Sequence, residues 1–145
     1  MTRAVRVVFL VIAVLAVAGI AVSSVSLYHH FQTSKTDYCD FGEAFNCDIV
    51  NRSVYSTIFG IPVALIGILG YAAIGTLATV YRSRVDTPKV LLAASVAGLG
   101  FALYLTYIEG FVLGTWCILC LSSLTVIVLI TVLASFLMVQ SMRRV

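Results

Sequence analysis

Two pairs of cysteines account for all four cysteines in the sequence, and their spacing suggests redox chemistry. Cys117 and Cys120 form a Cys-x-x-Cys motif at the start of the last long apolar run, and Cys39 and Cys47 lie in an earlier polar segment. Two cysteines three residues apart at the start of a helix lie on one face, one turn apart. The positive end of the helix dipole lowers the pKa of a thiol at the first position and favours attack by its thiolate. The motif is therefore a candidate redox centre at the edge of an apolar segment.

The elements that must position these cysteines are apolar helices. The 145 residues are 61% hydrophobic and only 10% charged, with a mean hydropathy of +1.11, which is typical of an integral membrane protein. About 20 helical residues cross a hydrocarbon core of ~30 Å. Four runs have that length and contain no Asp, Glu, Lys or Arg: residues 7–27, 58–81, 90–108 and 116–139. We therefore predict an all-α integral membrane protein, with residues 1–145 as a single domain that forms a bundle of four transmembrane helices.

The basic residues predict the orientation of this bundle. Seven of the nine Lys and Arg residues flank the apolar runs on one side, so the net charge of +3 is not a nucleic-acid signal. Both termini and the loop between helices 2 and 3 are expected to be cytoplasmic, whereas residues 28–57 form a structured outer loop between helices 1 and 2. The seven are Arg3, Arg6, Arg82, Arg84, Lys89, Arg143 and Arg144.

The first apolar run has an alternative interpretation as a cleaved signal peptide. Basic residues precede it, and Ala-Val-Ser-Ser follows near its end. The run is about 21 residues long, however, which exceeds the usual apolar core of a signal peptide. The sequence therefore favours an uncleaved first helix.

With this orientation all four cysteines face a compartment that tolerates disulfides. A four-cysteine zinc site is one interpretation, but seven residues separate the loop cysteines and the compartment favours oxidation, so we predict no metal. A structural adhesion or junction protein of the claudin or tetraspanin kind would explain a loop disulfide. It would not explain the pair Cys117 and Cys120, which closes a small and reducible ring. The remaining interpretation is a thiol–disulfide relay between a loop pair and a helix pair.

Such a relay needs an electron acceptor at the lipid edge. The sequence has no P-loop, and Gly98-Leu99-Gly100 lacks the third glycine of a dinucleotide fingerprint and lies inside an apolar run. No nucleotide cofactor is therefore expected. A quinone dissolved in the bilayer is the acceptor that this placement favours.

The order of these motifs resembles the vitamin K epoxide reductase family. The resemblance rests on Cys39-x7-Cys47, on the segment from Asn51 to Pro62 and on Trp116–Cys120, and it covers nearly the whole chain. It implies a four-helix bundle around a quinone pocket close to the Cys-x-x-Cys motif. It also implies that Cys39 forms a mixed disulfide with a thioredoxin-like protein, that Cys47 passes electrons to Cys117, and that Cys120 lies nearest the quinone. The quinone-pocket residues that the resemblance implies are Tyr55, Ser56, Phe59, Leu119 and Leu124.

Two positions depart from the pattern of vertebrate members. Ser56 stands where those proteins carry an Asn, and Leu124 stands where they carry a Tyr. Polar groups at the ends of the pocket orient the ligand oxygens, so both departures argue against epoxide reduction. The Gly-Ile-Pro-Val-Ala pattern after Phe59 is more similar to bacterial members, which oxidise a periplasmic DsbA-like protein.

The predicted function is therefore that of a monomeric membrane thiol–disulfide oxidoreductase that supports disulfide-bond formation. Its electrons come from a separate thioredoxin-like or DsbA-like protein and pass to a quinone of the ubiquinone, menaquinone or vitamin K type. The expected location is a bacterial inner membrane with the redox loop in the periplasm, or the endoplasmic reticulum membrane in a eukaryote. The alternatives are a true vitamin K epoxide reductase and the structural adhesion protein described above.

Overall fold

A computed structural model describes residues 1–32 and 45–145, so the predicted site residue Cys39 lies outside the described residues. The described chain is mostly helical, as the sequence predicts. Its α-helices are α1 (Arg3–Phe31), α2 (Cys47–Asn51), α3 (Val63–Thr79), α4 (Thr87–Tyr107) and α5 (Ile118–Arg143). A 3₁₀ turn (Val54–Ser56) and two short strands, β1 (Thr57–Ile58) and β2 (Ile61–Pro62), precede α3, and a π-helical segment (Ile108–Leu113) continues α4.

Three of the helical segments in the described chain are long and apolar enough to cross a membrane. They are α1, α4 together with its π-helical continuation, and α5, with mean hydropathies of 2.8, 1.8 and 2.5. Helix α3 is apolar but has 17 residues, which span only about 26 Å at 1.5 Å per residue. The structure therefore confirms an α-helical membrane protein, and four complete spans stay a prediction.

The start of the second long helix differs from the predicted position at residue 58. Strands β1 and β2 pair antiparallel, with Ile58 opposite Ile61, and Phe59 and Gly60 form the tight turn between them. Both turn residues have left-handed backbone, with φ values of 52° and 80°, as a two-residue hairpin turn of type I′ requires. Helix α3 can begin only after this hairpin, and Pro62 caps it. The apolar composition of the segment concealed the turn.

The last helix also begins later than predicted, at Ile118 instead of residue 116. Cys117 is the N-cap residue and has extended backbone, with φ −111° and ψ 120°. The Cys117 thiol therefore lies at the N-terminus of α5, next to the N–H groups of the first turn, where the helix dipole is positive.

Consecutive long helices pack antiparallel, and small residues allow their close approach. A Cβ atom at Gly19 of α1 would lie 2.5 Å from the ring of Tyr71 in α3, so only glycine fits against that ring. In the second pair, the Thr131 hydroxyl of α5 donates to the Ser95 carbonyl of α4 at 3.3 Å. The termini meet at one end of the bundle, where Arg144 Nη2 donates to Thr2 Oγ1 at 3.4 Å. Cys47, Cys117 and Cys120 lie at the opposite end.

The outer faces of the long helices carry large apolar side chains. Leu10, Val14 and Val17 of α1 are each more than 60% exposed, and Leu69 of α3 and Val132 of α5 match them. Many exposed large apolar side chains on the outer faces of helices indicate a surface that contacts lipid or protein. Together with the helix lengths, it supports a membrane location.

Candidate redox site

A cysteine of the segment between α1 and α3 contacts a cysteine of the Cys-x-x-Cys motif. The Sγ atoms of Cys47 and Cys117 lie 3.3 Å apart, and the two residues are 1% and 0% exposed. Cys47 is disulfide-bonded, whereas Cys117 and Cys120 are free thiols. Thiol–disulfide exchange proceeds by attack of one sulfur on another. A buried thiol thus faces a disulfide sulfur at contact distance.

Short-range hydrogen bonds hold Cys47 in this position. Asn46 precedes α2, and its side-chain oxygen accepts from the N–H groups of Asp48 at 3.0 Å and Ile49 at 3.2 Å, which caps the helix. The Asn46 N–H donates to the Trp116 carbonyl at 3.1 Å. Because Asn46 precedes Cys47 and Trp116 precedes Cys117, this one backbone bond sets the two cysteines side by side.

The surroundings of Cys117 favour its thiolate. The Cys120 thiol donates a hydrogen bond to Cys117 and thereby lowers its pKa, against the opposing effect of burial, and the backbone N–H groups of Cys120 and Leu119 lower it further. The nearby Glu109 carboxylate acts in the opposite direction. The side-chain amide of Asn51 also points at the Cys117 sulfur, at 3.9 Å. The net shift to a lower pKa agrees with the direction expected for a thiol at a helix N-terminus.

Cys120 lines an apolar cavity of about 420 Å³ between the helices. The predicted pocket residues Tyr55, Ser56 and Leu119 line the same cavity. The other two do not. Phe59 is fully exposed at the tip of the hairpin, and Leu124 packs against the buried core of the bundle.

A polar group closes one part of the cavity wall. His30 Nδ1 lies 2.6 Å from the Asn51 carbonyl oxygen and 3.2 Å from the Ser56 hydroxyl. The Asn51 carbonyl oxygen can only accept a hydrogen bond, so the His30 Nδ1–H donates to it, while the Ser56 hydroxyl donates to the Ser53 carbonyl at 2.6 Å. Residues 1–32 and 45–145 contain no group of His, Cys, Asp or Glu suited to a metal ion.

Glu109 is a site residue that the sequence interpretation missed. It lies in the π-helical segment, is 1% exposed, and lines the cavity with Cys120. Its Oε2 accepts the Cys117 backbone N–H at 3.1 Å, and its backbone carbonyl accepts the Thr115 N–H at 3.0 Å. The signal was present, since a lone carboxyl group between two apolar runs points to function.

Fold and site together define an α-helical membrane protein in which the buried thiol of a Cys-x-x-Cys pair contacts a disulfide-bonded cysteine at the edge of an apolar cavity. The model of the vitamin K epoxide reductase family matches residues 10–135, which is most of the chain. The chain therefore belongs to the vitamin K epoxide reductase family, and this membership indicates an oxidoreductase. No curated protein matches the sequence.

Proposed function

We propose that this protein is a quinone-linked thiol–disulfide oxidoreductase that oxidises a thioredoxin-like or DsbA-like protein. The loop cysteines Cys39 and Cys47 receive the electrons, and Cys117 and Cys120 pass them to a membrane quinone. The observation that carries the proposal is the 3.3 Å contact between the sulfurs of Cys47 and Cys117, which supports electron transfer between the two cysteine pairs.

The transfer between the pairs balances as two exchange steps. The Cys47 thiolate attacks Cys117 of the oxidised helix pair, so that an S–S bond forms between them and Cys120 leaves as a thiolate. Cys39 then attacks Cys47, and Cys117 leaves. The result is a loop disulfide and a reduced helix pair, which is the state observed at Cys47, Cys117 and Cys120. The lowered pKa of Cys117 supports the second step, because a thiol of lower pKa leaves faster.

The cavity supports a quinone as the acceptor. Its volume of about 420 Å³ lies within the range of small-molecule sites, and its lining is mostly apolar with a few polar groups. Cys120 lies in its wall, whereas Cys117 is fully buried. Cys120 is therefore the cysteine that presents its sulfur to a quinone ring, whether of the ubiquinone, menaquinone or vitamin K type.

The same cavity favours quinone reduction over epoxide reduction. Opening an epoxide requires a donor that stabilises the developing charge on its oxygen, and loss of one such donor slows a reaction by about 10²–10³. Leu124 lies away from the cavity, and the Ser56 hydroxyl already donates to the Ser53 carbonyl. Neither position supplies a free hydrogen-bond donor. Reduction of a quinone carbonyl depends less on such a donor than epoxide opening does.

We place all four long helices across the membrane, with both termini in the cytoplasm and the redox end outside. The bias of basic residues supports this orientation, and the contact of Arg144 with Thr2 agrees with it because the two ends of the chain meet on one side. The redox end then faces the periplasm in a bacterium or the lumen of the endoplasmic reticulum in a eukaryote, where disulfides persist.

The test is anaerobic reduction of a naphthoquinone by the purified protein and a reduced thioredoxin-fold protein. Cys117→Ser and Cys120→Ser are expected to abolish the reaction, and Ser122→Ala serves as the control on the same helix. Replacing Cys39 and Cys47 together is expected to stop oxidation of the protein partner, while a small dithiol that reaches the helix pair still supports quinone reduction. Turnover of either helix-pair variant at the parental rate would make the pair structural and refute the proposal.

A further inference from the structure

Glu109 is a buried carboxyl group whose two oxygens differ in their hydrogen bonds. Its Oε2 accepts the Cys117 N–H, but its Oε1 has no hydrogen-bond partner within residues 1–32 and 45–145. An unpaired buried polar atom is costly, and its retention needs an explanation. A proton acceptor or donor that works in turnover is such an explanation.

The local backbone aims this side chain at the reacting sulfurs. The π-helical segment Ile108–Leu113 inserts an extra residue per turn, and such segments are frequent at functional sites. Trp116 packs over Gly110, where a Cβ atom would lie 2.8 Å from the indole, and this contact locks the segment against the Cys-x-x-Cys motif. As a result the carboxyl group holds the Cys117 backbone and lies close enough to interact with the Cys120 thiol.

We propose that the Glu109 carboxylate is the proton carrier of the cavity, which accepts the proton of the Cys120 thiol and releases it toward the bound quinone. This inference rests on the proposed function. Oxidation of two thiols to a disulfide releases two electrons and two protons, and reduction of a quinone to a hydroquinone consumes the same number. Glu109 carries one proton: the S–H bond of Cys120 breaks, an O–H bond forms at Oε1, and that bond breaks again at a quinone oxygen. The second proton leaves Cys117 as its thiolate forms, and the hydroquinone takes up an equivalent proton from water.

The geometry separates this role from a purely structural one. Oε2 holds the Cys117 N–H, and a glutamine side-chain oxygen can accept that bond equally well. Glutamine cannot accept and release a proton. Glu109→Gln therefore removes the proton carrier and keeps the positioning contact, whereas Glu109→Ala removes both.

The experiment is a single turnover of the full, pre-reduced chain with a short-chain naphthoquinone, followed over a range of pH. We expect Glu109→Gln to slow quinone reduction by about 10²–10⁴, the usual contribution of acid–base catalysis, and to lose one titration step of the pH profile. Exchange of the loop disulfide with a small dithiol is expected to keep its rate. Asp86→Asn is the matched acid-to-amide control, because Asp86 lies on the connection before α4 and its side chain is 79% exposed.

A second measurement requires no change at Glu109. The chain has only two glutamates, so a Glu43→Gln protein with isotope-labelled glutamate carries its label at Glu109 alone. Time-resolved infrared spectra are expected to show a labelled carboxyl C=O band that appears and decays during the turnover. Wild-type rate and pH profile in Glu109→Gln, or absence of this band, would overturn the proton-carrier role. If instead the parent protein reduces no quinone at all, it is the proposed function that fails.

Discussion

The helical part of the bundle and its redox end differ in backbone structure. Between the helices, regular α-helical backbone packs through small residues, as at Gly19 against Tyr71. At the redox end, α2, a 3₁₀ turn, a two-residue hairpin and a π-helical segment interrupt the helical pattern. The regular part fixes where the helices lie, while the irregular part brings Cys47 and Glu109 to Cys117. Chemistry in this protein therefore depends on the segments whose structure is least regular.

The helical bundle and the redox end also differ in their side-chain and backbone hydrogen bonds. In the bundle, hydroxyl groups mostly bond within their own helix, as Thr125 does to the Leu121 carbonyl at 3.0 Å. The redox end has local bonds as well, but there polar bonds also connect distant parts of the chain, such as His30 with the Asn51 carbonyl and Asn46 with the Trp116 carbonyl. Each bond of the second kind joins two elements, so its loss is expected to change the site before it changes the bundle.

The largest expected effect concerns the sulfur contact itself. In Cys120→Ala, the Cys117 thiolate can still attack Cys47 of the loop disulfide, but the helix disulfide cannot form again. We expect turnover to fall to background and a stable Cys47–Cys117 disulfide to accumulate, because the two sulfurs are already 3.3 Å apart. Mass spectrometry of proteolytic peptides under non-reducing conditions measures this bond. Finding only the loop disulfide in the variant would show that the contact is not on the electron path.

The second prediction compares the two regions directly by adding one methyl group to each. In Gly19→Ala the Cβ atom would lie 2.5 Å from the Tyr71 ring, and in Gly110→Ala it would lie 2.8 Å from the Trp116 ring. Overpacking of this kind typically costs about 1–3 kcal/mol. We expect Gly19→Ala to lower the thermal stability of the bundle, and Gly110→Ala to lower quinone turnover with a smaller loss of stability. Gly100→Ala is the control, because nothing lies within 4 Å of its Cβ position.

If Gly110→Ala instead lowers thermal stability as much as Gly19→Ala and leaves turnover intact, the π-helical segment belongs to the structural part of the molecule. Both quantities are measured on the same detergent-purified preparations, by thermal unfolding and by anaerobic quinone reduction.

The division between the regions also explains what the sequence could predict. Apolar runs without charges identify α1, α4 and α5, because lipid demands a helix with its backbone bonds satisfied internally. Periodicity cannot show a two-residue hairpin at Phe59 and Gly60 within an apolar run, so the predicted start at residue 58 is wrong. The spacing of the cysteines in the sequence was enough to identify the two cysteine pairs. The contact of Glu109 with the Cys117 N–H depends on a π-helical turn, which no residue pattern announces.

The pocket residues divide in the same way. Tyr55, Ser56 and Leu119 line the cavity, but Phe59 and Leu124 do not. Resemblance places a residue within a segment, whereas the direction of its side chain follows from the local backbone. The left-handed conformation at the hairpin tip turns Phe59 outward.

A third prediction concerns the thiolate of Cys117. A hydrogen bond from Cys120 is the largest cause of its lowered pKa, so Cys120→Ala is expected to raise that pKa toward the ordinary value. A thiol with a lowered pKa stays ionised to lower pH, and raising the pKa therefore shrinks the thiolate fraction near neutral pH. In a protein that also carries Cys39→Ser and Cys47→Ser, alkylation of Cys117 by a small reagent is expected to slow severalfold at neutral pH and to recover in alkaline solution. An unchanged pH dependence would show that the N-terminus of α5 alone sets the thiolate.

The smallest expected effect on activity is at Phe59. The family resemblance implies that this residue lines the quinone pocket, whereas the structure places it at the exposed tip of the hairpin. Phe59 has φ 52°, a backbone conformation that bulky residues rarely adopt. Because its side chain is fully exposed, replacing it removes no buried packing contact. Asn-Gly is the preferred pair for a type I′ turn, so Phe59→Asn is expected to stabilise the hairpin by roughly 0.5–1 kcal/mol. Because Phe59 lies off the cavity, the KM for a naphthoquinone is expected to stay unchanged. Thermal unfolding and steady-state quinone reduction test the two parts separately, with Tyr55→Phe as a comparison inside the cavity wall. A clear rise in KM for Phe59→Asn would show that the hairpin folds over the quinone during turnover, and that the pocket role implied by the family resemblance holds in the bound state.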